Sequence, residues 1–517
     1  MSTTQSTTHI LVLGDQLTRQ VGPLADADPN NTSVLMVESL ALAHELRHHK
    51  QKLVLVFSAM RHFARELAVD GFNVEYKTAD SFADGIEKYL NQYRGVTLAF
   101  MQPNDYGYDT MLSGAIERAG GKANIVPNGL WLSSAQDFDA WAEGKKELRM
   151  EFFYRQERRR TGWLMEDGEP VGGTWNLDEQ NRDTPEPDHT FPDPPHFAPD
   201  DLTREVIDFV EAEVPDHFGT TDGFAWPVTR EQALAALEDF CENRLRAFGP
   251  FEDAMVQGEY VLYHSMLSVS LNLGLLTPRE VCETALRHYH DRKNDDERRK
   301  IPLNSIEGFV RQVSGWREFM HQVYRRLMPE FRDENRLNHT RDLPEFYWSG
   351  DTKMNCLHQC VTQAQETGHN HHIQRLMVLG NFAQIAGVNP QQLTDWFTAC
   401  FVDALDWVMV PNVIGMSQYA DLGTFTSKPY AASANYINKM SDYCGSCHYS
   451  RTKKLGENAC PFNSLYWDFL DRHYDTFNDN PRMNLTMANW KRRDEASKDE
   501  IREQARDVLA RLDAGAL

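Results

Sequence analysis

The chain has 517 residues and a formal net charge of −23, with 53 Lys and Arg against 76 Asp and Glu. At about 150 residues per domain, this length predicts more than one domain. Hydrophobic residues make up 41% of the chain, which excludes a disordered protein. No apolar run approaches the ~20 residues that cross a bilayer, and the first ten residues lack the basic and apolar regions of a secretory signal. We therefore expect a soluble, cytoplasmic protein with no membrane partner.

Residues 8–135 alternate between short apolar, β-branched runs and helical stretches. The runs that predict strands lie at 10–13, 34–37, 53–57, 74–76 and 96–101. Continuous apolar strands separated by helices predict a doubly wound parallel sheet, and we assign residues 1–135 to this α/β domain. The segment GDQL at 14–17 follows the first strand, at the carboxyl edge where such sheets bind ligands.

A connector at residues 136–200 follows. It begins with a basic segment that carries arginines at 149, 155, 158, 159 and 160, which is also the composition of a solvated helix face. From 178 to 200 the chain is rich in Pro and Asp, which predicts a linker that runs over the surface. Helical periodicity dominates from 201 to 517, and this predicts a large all-α domain.

The cysteine spacing near the C-terminus is typical of a metal site. Cys444 and Cys447 form a Cys-x-x-Cys pair, and Cys460 is followed by Pro, as iron–sulfur ligands often are. The candidates for a fourth ligand are Cys241, Cys282, Cys356, Cys360 and Cys400. Cys356 is the best of these, because it lies in a polar segment without helical period. The spacing fits both a structural zinc site and a 4Fe–4S cluster.

Three histidines, His369, His371 and His372, begin an apolar helical stretch. A histidine in this place can be a general acid, a metal ligand or an N-terminal cap. Further on, residues 412–418 (NVIGMSQ) and 427–430 (SKPY) form a polar region without helical period. Such a region either lines a cofactor pocket or forms a surface loop.

Several motifs together resemble one known family. HSMLSVSLNLGLLTPR at 264–279 is similar to the flavin-binding signature of photolyases and cryptochromes, and WREF at 316–319 is similar to the element that follows it. The cysteine set, the histidine pair and NVIGMSQ narrow the resemblance to the iron–sulfur bacterial cryptochromes and photolyases, the prokaryotic (6-4) photolyases. The likeness extends from GDQL to CPFNSLYWDFL at 460–470, nearly the whole chain.

The resemblance implies three cofactors. FAD is expected in the helical domain, and a 4Fe–4S cluster is expected on Cys356, Cys444, Cys447 and Cys460. The antenna in relatives is 6,7-dimethyl-8-ribityllumazine, for which GDQL and Glu38 mark the expected region. The positions that match the flavin-binding residues of the family are His264, Ser265, Leu267, Ser268, Arg317, Asp403, Met409 and Asn412.

The resemblance also implies an activity, the light-driven repair of (6-4) pyrimidine–pyrimidone lesions in UV-damaged DNA by electron transfer from reduced FAD. The flipped-out lesion requires a proton donor. His372 matches the essential histidine, with His371 in support, and Tyr430 and Asp178 match positions that face the lesion or DNA. We expect a monomer.

Two tryptophans match the electron-transfer residues of the family, Trp396 as the donor next to the flavin and Trp348 further out. The position after Trp396 is Phe397, where relatives commonly have Tyr, and Phe is much harder to oxidise. Met409 lies where the partner of the flavin N5 is expected, often a polar side chain. Both departures put the efficiency of flavin photoreduction in question.

Two other functions share some of these features. A cryptochrome-type blue-light photoreceptor would hold the same cofactors with little repair activity, and His372 argues for repair. A helical iron–sulfur domain that binds DNA without light chemistry, as in primases, is the third candidate, against which the flavin motifs argue. The acidic net charge does not exclude DNA, because binding needs only one basic face, for which residues 149–160, 298–300 and 311–326 supply positive charge. We expect an affinity that falls steeply with salt.

Overall fold

A parallel sheet forms the N-terminal part of the computed structural model, which describes residues 7–296 and 298–517. Its strands are β1 (Thr8–Val12), β2 (Thr32–Ser39), β3 (Asn73–Ala79), β4 (Thr97–Met101) and β5 (Lys122–Val126). They pair in the order β3-β2-β1-β4-β5, and every pair is parallel. The predicted α/β class is confirmed. The winding reverses between β1 and β4, and at such a switch point parallel sheets hold ligands beyond their carboxyl ends.

The helices between the strands are α1 (Leu40–Glu45), α2 (Lys50–Val69), α3 (Phe82–Gln92) and α4 (Tyr108–Arg118). The prediction of a strand at 53–57 is wrong, because these residues lie inside α2. That part of α2 is buried on nearly all sides, so its apolar run has the composition of a buried strand. Strand β5 was not predicted, because it lies at the sheet edge and is largely exposed.

The connector contributes α5 (Ala135–Ala142), α6 (Met150–Thr161) and a small hairpin of β6 (Met165–Glu166) and β7 (Glu169–Pro170). Helix α6 packs on the helical segment Arg311–Arg317 and thus belongs to the C-terminal core. The Pro-rich stretch lies mostly at the surface and is tied down by a hydrogen bond of 2.8 Å between His189 and Tyr263.

Helices dominate the described residues after 200. They are α7 (Asp201–Glu213), α8 (Arg230–Asp239), α9 (Leu245–Phe248), α10 (Ser268–Asn272), α11 (Pro278–Asp291), α12 (Leu303–Val310), α13 (Glu318–Leu327), α14 (Phe346–Ser349), α15 (Asn355–Thr367), α16 (Asn381–Ala386), α17 (Pro390–Cys400), α18 (Asp406–Val410), α19 (Ala434–Met440), α20 (Pro461–Arg472), α21 (Tyr474–Asn478), α22 (Asn484–Lys491) and α23 (Glu495–Asp513).

Short 3₁₀ turns lie at Gly22–Leu24, Pro29–Asn31, Val171–Gly173, Asp178–Gln180, Glu330–Asp333, Tyr443–Gly445 and Pro481–Met483. Segments of π-helix occur at Phe240–Arg244, Arg311–Arg317, Gln374–Gly380 and Pro411–Ser417. The last of these covers most of the NVIGMSQ motif, for which no helix was predicted. Of the other segments, Arg311–Arg317 contains the first two residues of WREF, and Gln374–Gly380 lies just after the three histidines. Turns of π-helix are frequent at functional sites.

One hydrophobic core joins the two domains. The face of the sheet with Ile10 and Val34 packs through α2 into the helical core, whereas the opposite face, with Leu11 and Leu35, is covered by α3 and α4. The carboxyl edge of the sheet is therefore held against the helical domain. No helix in the described residues is both long and apolar enough to span a bilayer.

Candidate functional site

A buried ion pair lies at the centre of the helical domain. Arg375, in the π-helical segment after the histidines, donates to Asp403 Oδ1 at 2.9 Å, and Ser268 at the start of α10 donates to Asp403 Oδ2 at 2.8 Å. Asn272 donates to the backbone carbonyl of Asp403 at 2.8 Å. The flavin-signature segment, through Ser268 and Asn272, and the histidine-bearing stretch, through Arg375, therefore meet at Asp403.

The charge of Asp403 is stabilised by its partners. Burial alone would raise the pKa of its carboxyl, but the Arg375 guanidinium and the hydrogen bond from Ser268 outweigh burial and hold this pKa below its ordinary value. Arg375 also lies 4.0 Å from the centre of the Phe401 ring. The pair is thus a fixed, dry ionic contact beside the predicted flavin residues.

Several buried polar atoms around this pair have no hydrogen-bond partner among the residues that the structure describes. They are His264 Nε2, His369 Nε2, Asn370 Oδ1, and both ring nitrogens of His371. Leaving such groups without partners costs about 1–3 kcal/mol each. A ligand rich in polar atoms, such as FAD, would supply the missing partners, so the residues present fit this cofactor.

The other predicted flavin residues surround the same region. Leu267 is buried, and the Ser265 hydroxyl accepts from the Leu267 backbone N–H at 3.4 Å. Arg317 reaches the carbonyl of Leu271 in α10, and burial lowers its pKa to about 10. Met409 is buried in α18, and Asn412 donates to the carbonyl of Val408 at 2.7 Å.

The histidines form a cluster that is kept neutral. The rings of His264 and His371 stack with centroids 4.6 Å apart. Burial lowers the pKa of His264 to about 4, and burial and Arg375 lower that of His372 to about 4. The His372 side chain is nevertheless accessible to solvent. His372 is thus the accessible ring beside the buried His369 and His371.

Tyr430 and Asp178 lie close together and are both accessible to solvent, and we call this pair the rim. The side chain of Tyr430 is 37% exposed, and burial and the nearby Asp178 raise its pKa. Asp178 pairs with Arg182 and lies 3.5 Å from the guanidinium of the buried Arg311. Burial and two neighbouring carboxylates raise the pKa of Asp253, which lies 3.9 Å from Arg182, to about 7.

The two predicted electron-transfer tryptophans touch each other. The ring centroids of Trp348 and Trp396 are 6.5 Å apart in an edge-to-face arrangement. Trp396 is buried and donates to the carbonyl of Tyr347 at 3.0 Å, whereas Trp348 is half-buried. Phe397 contacts Trp396 as well, but it does not lie between the two tryptophans. An electron can therefore pass from Trp348 to Trp396 without Phe397.

All four predicted ligand cysteines line one cavity near the C-terminus. Cys356 begins α15, Cys460 precedes α20, and Cys444 and Cys447 lie on the turn between α19 and the following loop. Burial and the neighbouring thiols raise the pKa of the Cys356 thiol. Among the described residues, no three Cys, His, Asp or Glu side chains converge as closely as a single metal ion requires.

At the carboxyl edge of the sheet, Glu38 is fully engaged by the protein. Arg61 donates to both of its oxygens, at 2.8 and 3.0 Å, and the Tyr76 hydroxyl donates at 2.6 Å. Asp15 of GDQL and Asp105 after β4 lie at the same edge, and burial raises the pKa of each, for Asp105 to about 8. Both residues are partly accessible, and Asp105 accepts from the Trp407 N–H of the helical domain at 3.0 Å.

Comparison with known proteins identifies the family. A family model described as deoxyribodipyrimidine photo-lyase-related protein matches residues 10–226. The (6-4) photolyase of Agrobacterium fabrum is 42% identical over 98% of this chain and 99% of its own length. The chain belongs to the (6-4) photolyase family.

Two solved structures share the fold of this photolyase-family chain. A bacterial class III photolyase from Agrobacterium tumefaciens matches with a TM-score of 0.54 and 16% identity over 81% of both chains. A Synechocystis cryptochrome matches with the same TM-score and identity over 81% of this chain and 83% of its own. These likenesses agree with an α/β domain followed by a helical domain.

Sequence reasoning missed several members of this photolyase-family site. Arg375 lies three residues after His372, in the motif that was singled out, and its charge in an apolar helical stretch was the available signal. Asn370 lies in the same motif. Arg182 follows Asp178 by four residues and pairs with it locally. Asp253 carried no signal, because only the fold brings it near Arg182 and Asp178.

Proposed function

We propose that this protein repairs (6-4) pyrimidine–pyrimidone lesions in UV-damaged DNA in a light-driven reaction. The observation that carries the proposal is the near full-length likeness to the Agrobacterium fabrum (6-4) photolyase, together with the accessible His372 beside a pocket of unpartnered polar atoms. A relative this similar over its whole length is expected to share its chemistry.

FAD is the proposed cofactor of the Asp403 region. Bound there in its reduced form, it would supply the photoexcited electron. Ser268, Arg375 and Asp403 would fix its orientation, while the unpartnered nitrogens of His264 and His371 would bind its polar atoms. Buried apolar residues such as Leu267 and Met409 would exclude water from the pocket.

His372 would hold the proton for the lesion. Its lowered pKa keeps the ring neutral at pH 7, so the proton that it offers is the one on a neutral imidazole nitrogen. Tyr430 and Asp178 at the rim would hold the flipped-out base by contact and hydrogen bonding. His371, which is buried behind His372, would fix the position of the reactive ring.

Trp348 and Trp396 would deliver electrons to the flavin from the protein surface. Their direct ring contact supports this route, and it makes the loss of a Tyr at position 397 tolerable. Trp348 is half-buried, so an external reductant can reach it.

A 4Fe–4S cluster is the proposed occupant of the cysteine cavity. Four cysteines line it, which is the number of thiolates that holds a 4Fe–4S cluster. The choice of a cluster over zinc rests on the likeness to the iron–sulfur photolyases. Cys356, Cys444, Cys447 and Cys460 would be its ligands.

The antenna is proposed to be 6,7-dimethyl-8-ribityllumazine, bound at the carboxyl edge of the sheet. Asp15 and Asp105 are accessible there, whereas the oxygens of Glu38 already have partners. We also propose a monomer that acts in the cytoplasm, as expected from the sequence.

The test is illumination of the reduced protein with an oligonucleotide that contains a (6-4) lesion, followed by chromatography of the product. We expect restored bases with the natural sequence and none with His372→Ala, while FAD remains bound. His290→Ala, a change at an exposed histidine of α11, is the matched control and should repair normally. An unchanged lesion with the natural, flavin-loaded protein would contradict the proposal and favour a photoreceptor.

A further inference from the structure

Most of the arginines in the first basic segment are engaged by other groups of the protein, although Arg159 is exposed and lies 4.7 Å from the centre of the Trp175 ring. Arg149, which precedes α6, and Arg155 and Arg160 within it form ion pairs with nearby glutamates, and Arg158 is buried among backbone carbonyls. These arginines hold the connector to the core, so they are poorly placed to neutralise phosphates.

The second basic segment is engaged in the same way. Arg311 is buried among carboxylates, Arg317 is buried beside Glu318, and Arg325 and Arg326 both pair with Asp139. In the third segment, residues 298–300, Arg299 lies 3.6 Å from Asp295, while Arg298 is exposed. The three segments therefore leave few charges free for DNA.

One stretch of the helical domain keeps its positive charge exposed. Residues 427–456 contain five Lys and Arg and one acidic residue, in a chain whose net charge is −23. Lys453 and Lys454 lie exposed on the loop at 448–459, between the candidate ligands Cys447 and Cys460. Among the described residues, neither lysine forms an ion pair or a side-chain hydrogen bond.

The backbone of the 448–459 loop is held in place. Asn463 of α20 donates from its side chain to the carbonyls of Arg451 and Lys453, both at 3.0 Å. The Ser450 N–H donates to the Asn458 carbonyl at 2.8 Å, and the Gly456 N–H donates to the Gln504 side chain at 2.7 Å. The two lysines are therefore presented on a preorganised loop.

The loop adjoins the rim formed by Tyr430 and Asp178. The side-chain oxygen of Asn463 accepts from the Ala434 N–H at the start of α19. Tyr436, two residues further along α19, lies close enough to Asp253 and Asp178 for their charges to raise its pKa. One short helix thus connects the exposed lysines to the candidate lesion pocket.

We propose that Lys453 and Lys454 of the 448–459 loop bind the phosphate backbone of duplex DNA beside the lesion pocket. The inference rests on the proposed function, since DNA is the partner. Two exposed lysines without acidic partners are free to neutralise phosphates, and the fixed loop limits the entropy lost on binding. Contacts of this kind position the duplex and carry no sequence preference.

The test measures the affinity of the cofactor-loaded protein for an undamaged, fluorescein-labelled duplex by anisotropy, at several KCl concentrations between about 50 and 200 mM. Each phosphate contact contributes about 0.9 to the slope of log K against log salt. We expect Lys453→Gln/Lys454→Gln to reduce this slope by about 2. Lys88→Gln/Lys122→Gln, which removes the same charge from exposed sites of the α/β domain, should leave it unchanged.

A slope that stays at the natural value in the loop variant would overturn the inference while leaving the proposed function intact. Failure of the natural protein to bind any DNA would overturn both. Lys453→Arg/Lys454→Arg keeps the charges and should keep the slope. Equal losses in the Arg and Gln variants would assign the effect to loop packing and would overturn the phosphate contact.

Discussion

Removing the charge of Asp403 tests whether the buried ion pair organises the candidate flavin site. In Asp403→Asn, Arg375 keeps its charge but loses the carboxylate at 2.9 Å, and the Ser268 hydroxyl loses a charged acceptor. The side chains of Arg375 and Asp403 are only 13% and 11% exposed, so water cannot replace the lost interaction.

The expected destabilisation follows from that burial. Removing one partner of a buried pair costs about 3–5 kcal/mol, because an uncompensated charge remains. The Phe401 ring at 4.0 Å compensates part of this, so we expect about 3 kcal/mol. This loss is a large share of the free energy of unfolding of a typical protein, which is roughly 5–15 kcal/mol.

The assay is urea unfolding of the flavin-loaded protein, followed by circular dichroism and by flavin release. The control is Glu283→Gln, which breaks an ion pair with Arg279 whose side chains are more than half exposed. It should cost less than about 1 kcal/mol. A double variant, Arg375→Gln/Asp403→Asn, should recover part of the loss, since no buried charge is left over.

A change below about 1 kcal/mol in Asp403→Asn, with unaltered flavin release, would refute the reasoning. It would mean that Arg375 finds another partner or that water reaches the pair. A loss in the double variant equal to the sum of the losses in Asp403→Asn and Arg375→Gln would likewise show that the two charges are not coupled.

Three further predictions address other parts of the molecule. Cys447→Ala should lose iron, measured by metal analysis, whereas Cys282→Ala, at a buried thiol remote from the cavity, should retain it. Trp348→Phe should slow photoreduction of the flavin, measured by bleaching of its blue absorption, while Phe397→Tyr should change the rate little. Stability should fall as the pH drops below about 6.5, because the unfolded chain binds protons that the buried His339, with its pKa lowered to about 3, does not. By pH 5 this group alone accounts for about 2 kcal/mol, so His339→Gln should flatten the pH dependence of urea unfolding.

The helices and strands of the fold were largely predictable, because the spacing of apolar residues along the sequence differs between the two. Apolar runs separated by helical stretches correctly predicted the parallel sheet, and the mistake at 53–57 has a physical origin. A helix buried on nearly all sides has no polar face, so its composition does not distinguish it from a buried strand.

Pairings across the fold were beyond the sequence. Asp403 and Arg375 are 28 residues apart, and nothing in their local patterns shows that they meet. The basic segments show the same limit more sharply. Arg311 and Arg325 have the appearance of a DNA-binding face in the sequence, yet Arg311 lies 3.5 Å from Asp178 and Arg325 pairs with Asp139, carboxylates that only the fold brings near. Lys453 and Lys454 remain exposed, but they lie on an irregular loop that has no periodic pattern to mark it in the sequence.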